Sequence, residues 1–224
     1  VSGHLVKNQP TIGYVKVSTF SENTAKEFKA ELKKLQKKGA KSFIIDMRDN
    51  PGGLMDQALK MSSIFVKNGK ILLQVKQRTV AAQVYKAGPK FDDGYKITGK
   101  TVVLINSCSA SAAEIFSAAL NQSAGAKLIG TKSYGKGTVQ NTLPFSDKTE
   151  LKMTIAKWLT PDGDWINHKG LQPTIKADYP KYAYQTAIDT KKTYQNGQVS
   201  KQIKKIQTLL QALGYQPGDV NGYY

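Results

Sequence analysis

Three short stretches of this chain combine residue types that could attack and hold a carbonyl group. The first is Asn106-Ser107-Cys108-Ser109-Ala110-Ser111-Ala112-Ala113-Glu114. It follows the aliphatic run Val102-Val103-Leu104-Ile105 and opens a segment of helical character. A helix start carries N–H groups without intrahelical partners and a positive potential, so a serine placed there sits beside a ready oxyanion hole. Ser111 and Glu114 also fit the S-x-x-E capping box, a purely structural role that is compatible with a nucleophile at the same position. Cys108 reads as a small buried thiol, because no histidine lies near it in sequence to activate it.

The second stretch is Ser133-Tyr134-Gly135-Lys136-Gly137-Thr138-Val139-Gln140. A serine hydroxyl needs a base, and the chain has only two histidines, His4 and His168. A lysine whose amine is kept neutral by burial can serve instead, and Lys136 lies between two glycines that permit close backbone approach. Gln140 follows four residues later, a spacing that returns to the same face in a helix or a strand, where it could orient the Lys136 amine. Taken alone, the stretch reads as a surface lysine on a glycine-rich turn. The third stretch, Asp46-Met47-Arg48-Asp49-Asn50-Pro51-Gly52-Gly53, pairs glycines behind a buried strand. Such a turn can aim N–H groups at an anion, but the P-loop lysine pattern is missing.

The elements that must position these residues alternate. Strands are expected at Ile12–Val17, Ser42–Asp46, Ile71–Val75, Thr101–Ile105 and Lys127–Gly130, with later ones near Val139–Leu143 and Leu151–Leu159. Helices are expected after Ser21 or Asn23, with Phe28, Leu32 and Leu35 on one face and lysines on the other; from Leu54 to Phe65; and from Ala112 to Asn121. Lys86 to Lys100 reads as a loop or loose hairpin. Strands alternating with helices define an α/β core. Near Pro180 the composition changes. Tyr182 to Lys192 and Val199 to Leu213 read as helices separated by Asn196-Gly197, and no strong internal repeat is seen.

Composition narrows the classes. With 224 residues, 40% of them hydrophobic, the chain can fill one core with an appendage. A single cysteine excludes an intramolecular disulfide framework, and two histidines with one thiol argue against a zinc cluster; no cofactor is called for. No aliphatic run approaches the ~20 residues of a membrane span, and Val1-Ser2-Gly3-His4 has no signal-peptide character. The net charge is +17, nearly all from lysine, with only Arg48 and Arg78 as arginines. This favours polyanions in general but not specific nucleic-acid recognition, which relies on bidentate arginine.

Together these stretches resemble the carboxyl-terminal processing peptidases, or tail-specific proteases. The resemblance is carried by Ile45 to Leu54, Ser109 to Ile115, Gly130 and Tyr134 to Gln140, with Thr160-Pro161-Asp162-Gly163 and Gly170-Leu171-Gln172-Pro173 later, over roughly residues 11 to 180. It implies a serine endopeptidase with a Ser-Lys dyad on a crotonase-like or Clp-like α/β core, cutting proteins near their C-termini. By position, Ser111 is the nucleophile, Lys136 the base and Gln140 the residue that holds the lysine. The N–H of Ala112 and one from Gly52 or Gly53 form the oxyanion hole. Ser109 is set aside by the family's spacing. The PDZ domain and N-terminal helical region usual in the family do not fit ahead of Ile12. Ser133-Tyr134-Gly135-Lys136 also matches the S-x-x-K of penicillin-binding proteins, but their K-T-G and S-D-N partners are absent.

The expected organisation is a protease core over residues 1–180 and a helical region over 181–224. From about residue 197 the latter is similar to part of a peptidoglycan-binding module. Ile203, Gln207, Leu210, Leu213-Gly214-Tyr215 and Gly218-Asp219-Val220-Asn221-Gly222 carry that similarity. From residue 181 on, six lysines face only Asp189 and Asp219, which suits an anionic wall polymer; the alternative for this helix is packing against a second copy or another domain. The expected partners are polypeptide tails and the expected setting is extracytoplasmic, in the bacterial envelope. The competing reading is a peptide- or wall-binding protein without turnover.

Overall fold

The computed structural model describes residues 1–147, 149–180, 183, 188, 189 and 191–224. The chain divides into two compact units, Val1–Ala177 and Asp178–Tyr224.

The first unit is a mixed α/β structure built on a six-stranded sheet of order β1-β2-β3-β6-β7-β10. Its strands are β1 (Ser2–Val6), β2 (Gln9–Lys16), β3 (Ser42–Asp46), β6 (Thr101–Ile105), β7 (Lys127–Gly130) and β10 (Ile175–Lys176). β1 runs antiparallel to β2, and every other neighbouring pair is parallel. β3 and β6 occupy the middle, which is why their sequences are nearly continuous apolar runs. β1 was not expected: its residues alternate weakly and only pairing with β2 orders them.

Helices α1 (Thr24–Lys37) and α4 (Ala112–Ala118) and the segment just after α2 (Met55–Ser63) meet in one aromatic cluster. The Phe116 ring meets Phe28 and Phe65 edge-on, with centroids 6.1 Å apart in each pair. This is a preferred aromatic geometry, and it holds α4 against the body of the unit. α4 passes into a π-helical turn at Ala119–Ser123, so the expected helix is present with its last part re-wound.

The second sheet is antiparallel, of order β5-β4-β9-β8, with β4 (Ile71–Lys76), β5 (Gln83–Lys86), β8 (Thr138–Pro144) and β9 (Glu150–Leu159). The polar stretch after Lys86 is more ordered than its composition suggests. It holds the short helix α3 (Pro89–Asp92), where buried Asp92 accepts from Ser63 Oγ, from the Gly94 N–H and from Lys96 Nζ at 2.7 Å. Lys96 Nζ also donates to the carbonyls of Ser63 and Val66. The order comes from one clamped ion pair, which hydrophobic periodicity cannot signal.

In the second unit α5 (Lys201–Ala212) starts at Ser200, whose side chain caps the Ile203 N–H. Buried Gln207 donates to the Tyr223 carbonyl and accepts from the Gly222 N–H, both at 2.8 Å, folding the chain end back onto the helix. The helix expected over Tyr182–Lys192 falls largely outside the described residues.

Candidate active site

The three stretches singled out by residue type leave the carboxyl ends of three adjacent parallel strands. Gly52-Gly53 follows β3, Ser111 follows β6 and Lys136 follows β7. Ligands in parallel α/β sheets bind outside these strand ends.

Ser111 is the residue before α4 and has φ 54°, ψ −115°, a conformation uncommon for any residue with a Cβ. Its N–H donates to Glu114 Oε2 at 2.9 Å, the reciprocal half of the capping box. The next N–H, that of buried Ala112, has no hydrogen-bond partner among the described residues. Buried donors are almost always paired, so an orphan beside a serine marks a site for an acceptor from outside.

The glycine turn lies directly against this serine. A Cβ on Gly52 would stand 2.7 Å from the Ala110 carbonyl oxygen, 2.8 Å from Ser111 Cβ and 3.0 Å from the Ala112 nitrogen, so no other residue fits there. Buried Asn50 shapes the turn: its Oδ1 accepts the Gly52 N–H and its Nδ2 donates to the Val17 carbonyl, both at 2.8 Å. Gly53 is tied by its neighbours to Phe20, through Phe20 N–H to the Gly52 carbonyl and Leu54 N–H to the Phe20 carbonyl. Its own N–H is left without a partner among the described residues. The two glycines therefore divide the work: the Gly52 donor is spent inside the protein and the Gly53 donor is not.

Asp46 closes β3 beneath the turn and is fully buried. Arg48 holds it bidentately, Nε to Oδ1 at 2.9 Å and Nη2 to Oδ2 at 2.7 Å, and the Tyr14 hydroxyl donates to Oδ2. Burial works to raise the Asp46 carboxyl, but the hydrogen bonds from Arg48 and Tyr14 prevail and hold it below the ordinary carboxylate range. Tyr14 is pushed up to about 12, by burial first and then by its bond to Asp46.

Glu114 is the residue that joins the two halves of the site. It is fully buried, and each of its oxygens takes two donors. Oε1 accepts from Ser133 Oγ at 2.5 Å and the Gly135 N–H at 2.7 Å; Oε2 accepts from the N–H groups of Ser111 and Lys136. One carboxylate oxygen thus ties the backbones of Ser111 and Lys136 to a common point, the Lys136 bond being 2.8 Å. The capping box revealed half of this role; the link to Lys136 carries no sequence signal.

The side chains are less closely joined. Lys136 is half-buried, and its amine makes no hydrogen bond or ion pair with Ser111, Gln140 or any other described residue. Gln140 is exposed in β8, and the register of β8 on β9 shifts between Val139 and Gln140. That irregularity, and the position of Lys136 ahead of the strand, remove the simple alternation behind the same-face expectation. The other two serines have structural work. Ser109, 0% exposed, donates to the Met47 carbonyl and accepts the Asn106 N–H. Ser133 bridges Glu114 and the Leu171 N–H. Cys108, expected to be buried, is exposed instead: it lies in the turn between β6 and α4, where its N–H donates to Asn106 Oδ1.

Comparison with known proteins assigns the class. Residues 11–177 match the model of peptidase family S41, and the chain belongs to that family. It is 46% identical over 213 residues to the carboxy-terminal processing protease CtpA of Bacillus subtilis, a match covering 95% of this chain and 45% of the relative. It is 39% identical to a probable CtpA-like serine protease of Staphylococcus aureus, over 94% of this chain and 42% of that one. Among solved structures, the photosystem II D1 C-terminal processing protease superposes with a TM-score of 0.67 at 30% identity, over 75% of this chain and 42% of that protein. A lipoprotein from Streptococcus agalactiae shares the fold, with a TM-score of 0.63 at 16% identity, over 79% of this chain and 64% of that one. The chain spans under half the length of the curated relatives it matches.

Proposed function

We propose that this chain carries the catalytic core of a serine endopeptidase that cuts polypeptides near their C-termini through a Ser-Lys dyad. The observation that carries this reading is the pair of N–H groups, Ala112 and Gly53, that have no partner among the described residues and lie beside a serine held in a strained turn. In its amine form Lys136 takes the Ser111 proton as Oγ attacks the scissile carbonyl, and Ala112 and Gly53 donate to the developing oxyanion. Lys136 then protonates the leaving amine, and water releases the acyl group. Gln140 is assigned to hold the Lys136 amine on the family resemblance alone, since the two side chains do not meet here. The Lys136 and Ser111 backbones are anchored on the same Glu114 oxygen, and catalytic hydrogen bonds can tighten only when substrate binds. The free Gly53 donor supports Gly53 over Gly52 as the second arm of the hole.

The test is hydrolysis of an unfolded protein by the parent chain, Ser111→Ala and Lys136→Ala. Both variants are expected to keep the parent melting temperature and lose at least ~10³ of the rate. Cleavage by Ser111→Ala at the parent rate overturns the assignment.

The setting proposed is the bacterial envelope, with the second unit contacting peptidoglycan. This rests on its lysine excess and on the similarity carried by Gln207 and Gly222, which bond each other. No helix among the described residues is long and apolar enough to cross a membrane. Co-sedimentation with purified peptidoglycan, lost on removal of residues 197–224, is the expected result; equal sedimentation of both forms sinks the proposal.

A further inference from the structure

The antiparallel sheet contains a row of charge that its own packing does not explain. In the register of β4 and β9, Lys76 stands directly opposite Lys157, and Lys157 is in turn opposite Thr138 of β8. Like charges facing each other across a ladder destabilise a sheet unless something neutralises them. Here they line a cleft of about 450 Å³, together with Arg78 and Trp165. No Asp or Glu lines it, and none of Lys76, Arg78 and Lys157 forms an ion pair among the described residues. Lys157 Nζ lies 4.8 Å from the Trp165 ring centroid, which steadies the amine over an apolar floor without neutralising it.

The cleft adjoins the candidate active site through the chain itself. Thr138 is two residues from Lys136, at most about 7 Å of backbone. The Trp165 indole N–H donates to the Gly137 carbonyl, so the floor of the cleft is fixed to the Lys136 segment.

We propose that this cleft is a specificity subsite that takes a carboxylate of the polypeptide substrate, within a few residues of the bond cut at Ser111. The proposal rests on the peptidase reading above and names a preference within it. An acidic side chain and a free C-terminus supply the same group, and the test separates them.

Binding is measured by calorimetry on the full chain carrying Ser111→Ala, so that no turnover is needed. Three sets of peptides built on one otherwise uncharged sequence are compared: amidated, amidated with one Glu moved along the chain, and with a free C-terminus. A carboxylate-bearing peptide is expected to bind about tenfold more tightly than the amidated neutral one. The gain should shrink with salt, weaken in Lys157→Glu and disappear in Lys76→Met/Lys157→Met. A gain confined to the Glu peptides assigns a side chain, and one confined to the free-ended peptide assigns the terminus. The proposal is overturned if carboxylate-bearing peptides bind no better than the amidated one, if none binds, or if the gain survives in the double variant. Ser111-dependent hydrolysis without a carboxylate preference sinks the subsite alone. Carboxylate-selective binding by a chain without Ser111-dependent hydrolysis sinks the peptidase reading, and with it the subsite's role in cleavage, and leaves only a carboxylate-binding cleft.

Discussion

Asp46 and Glu114 are both shut away from solvent beneath the candidate site, one at the end of β3 and the other in the first turn of α4. They are kept there by different means. Asp46 is answered by a cation: Arg48 covers both oxygens, and its guanidinium remains partly exposed, with 27% of the side chain accessible. Glu114 has no cation against it among the described residues. It is satisfied by three backbone N–H groups and one hydroxyl, drawn from two loops that its own helix does not contain. The first arrangement secures one strand end. The second makes a single side chain the meeting point of the Ser111 and Lys136 segments, so its loss is felt by both.

This contrast predicts an order of effects. Glu114→Gln should be the most damaging, because an amide must turn an N–H₂ toward donors that have no other acceptor. A loss of about 3 kcal/mol in urea unfolding is expected, with hydrolysis falling further than the folded fraction. A variant within ~0.5 kcal/mol of the parent would show that the four bonds are incidental. Gly52→Ala comes next. With φ 101° and a Cβ 2.7 Å from the Ala110 oxygen, the turn must open or the α4 start must shift. About 2 kcal/mol and a loss of cleavage are expected, whereas full activity would place the glycine turn outside the site.

Asp46→Asn should cost less, about 1–2 kcal/mol, because Arg48 can turn to water. It also has a pH signature. The folded-state carboxyl lies below its ordinary value, so its contribution is complete above the unfolded value of about 3.9 and is lost as pH falls through the folded value. Unfolding followed from pH 5 downward should be flatter in the Asn variant; an identical acid slope breaks the comparison. Tyr14→Phe is the mildest, about 1 kcal/mol. With Tyr14 raised to about 12, its contribution is present below the unfolded value of about 10 and fades as pH climbs toward 12. The Phe variant should lack that alkaline loss, as read by melting temperature across pH 9 to 12.

What the amino-acid sequence determined on its own was local. Continuous apolar runs at Ser42–Asp46 and Thr101–Ile105 marked the central strands, and these are β3 and β6. Phe28, Leu32 and Leu35 gave α1 its buried face, and the S-x-x-E pattern placed Ser111 ahead of α4. Period, caps and glycines are readable because each reflects a preference settled within a few residues. Tertiary structure decided everything that needed two distant segments. It turned β1 into a strand by pairing it with β2, and ordered the stretch after Lys86 through the Asp92–Lys96 clamp. It engaged Ser109 and Ser133 in structural bonds, took up the Gly52 donor while leaving that of Gly53, and hung Lys136 on the same oxygen as Ser111. Those outcomes depend on which loops the sheet order brings side by side. A hydrogen bond between residues 22 apart in the chain leaves no periodicity for a sequence to display.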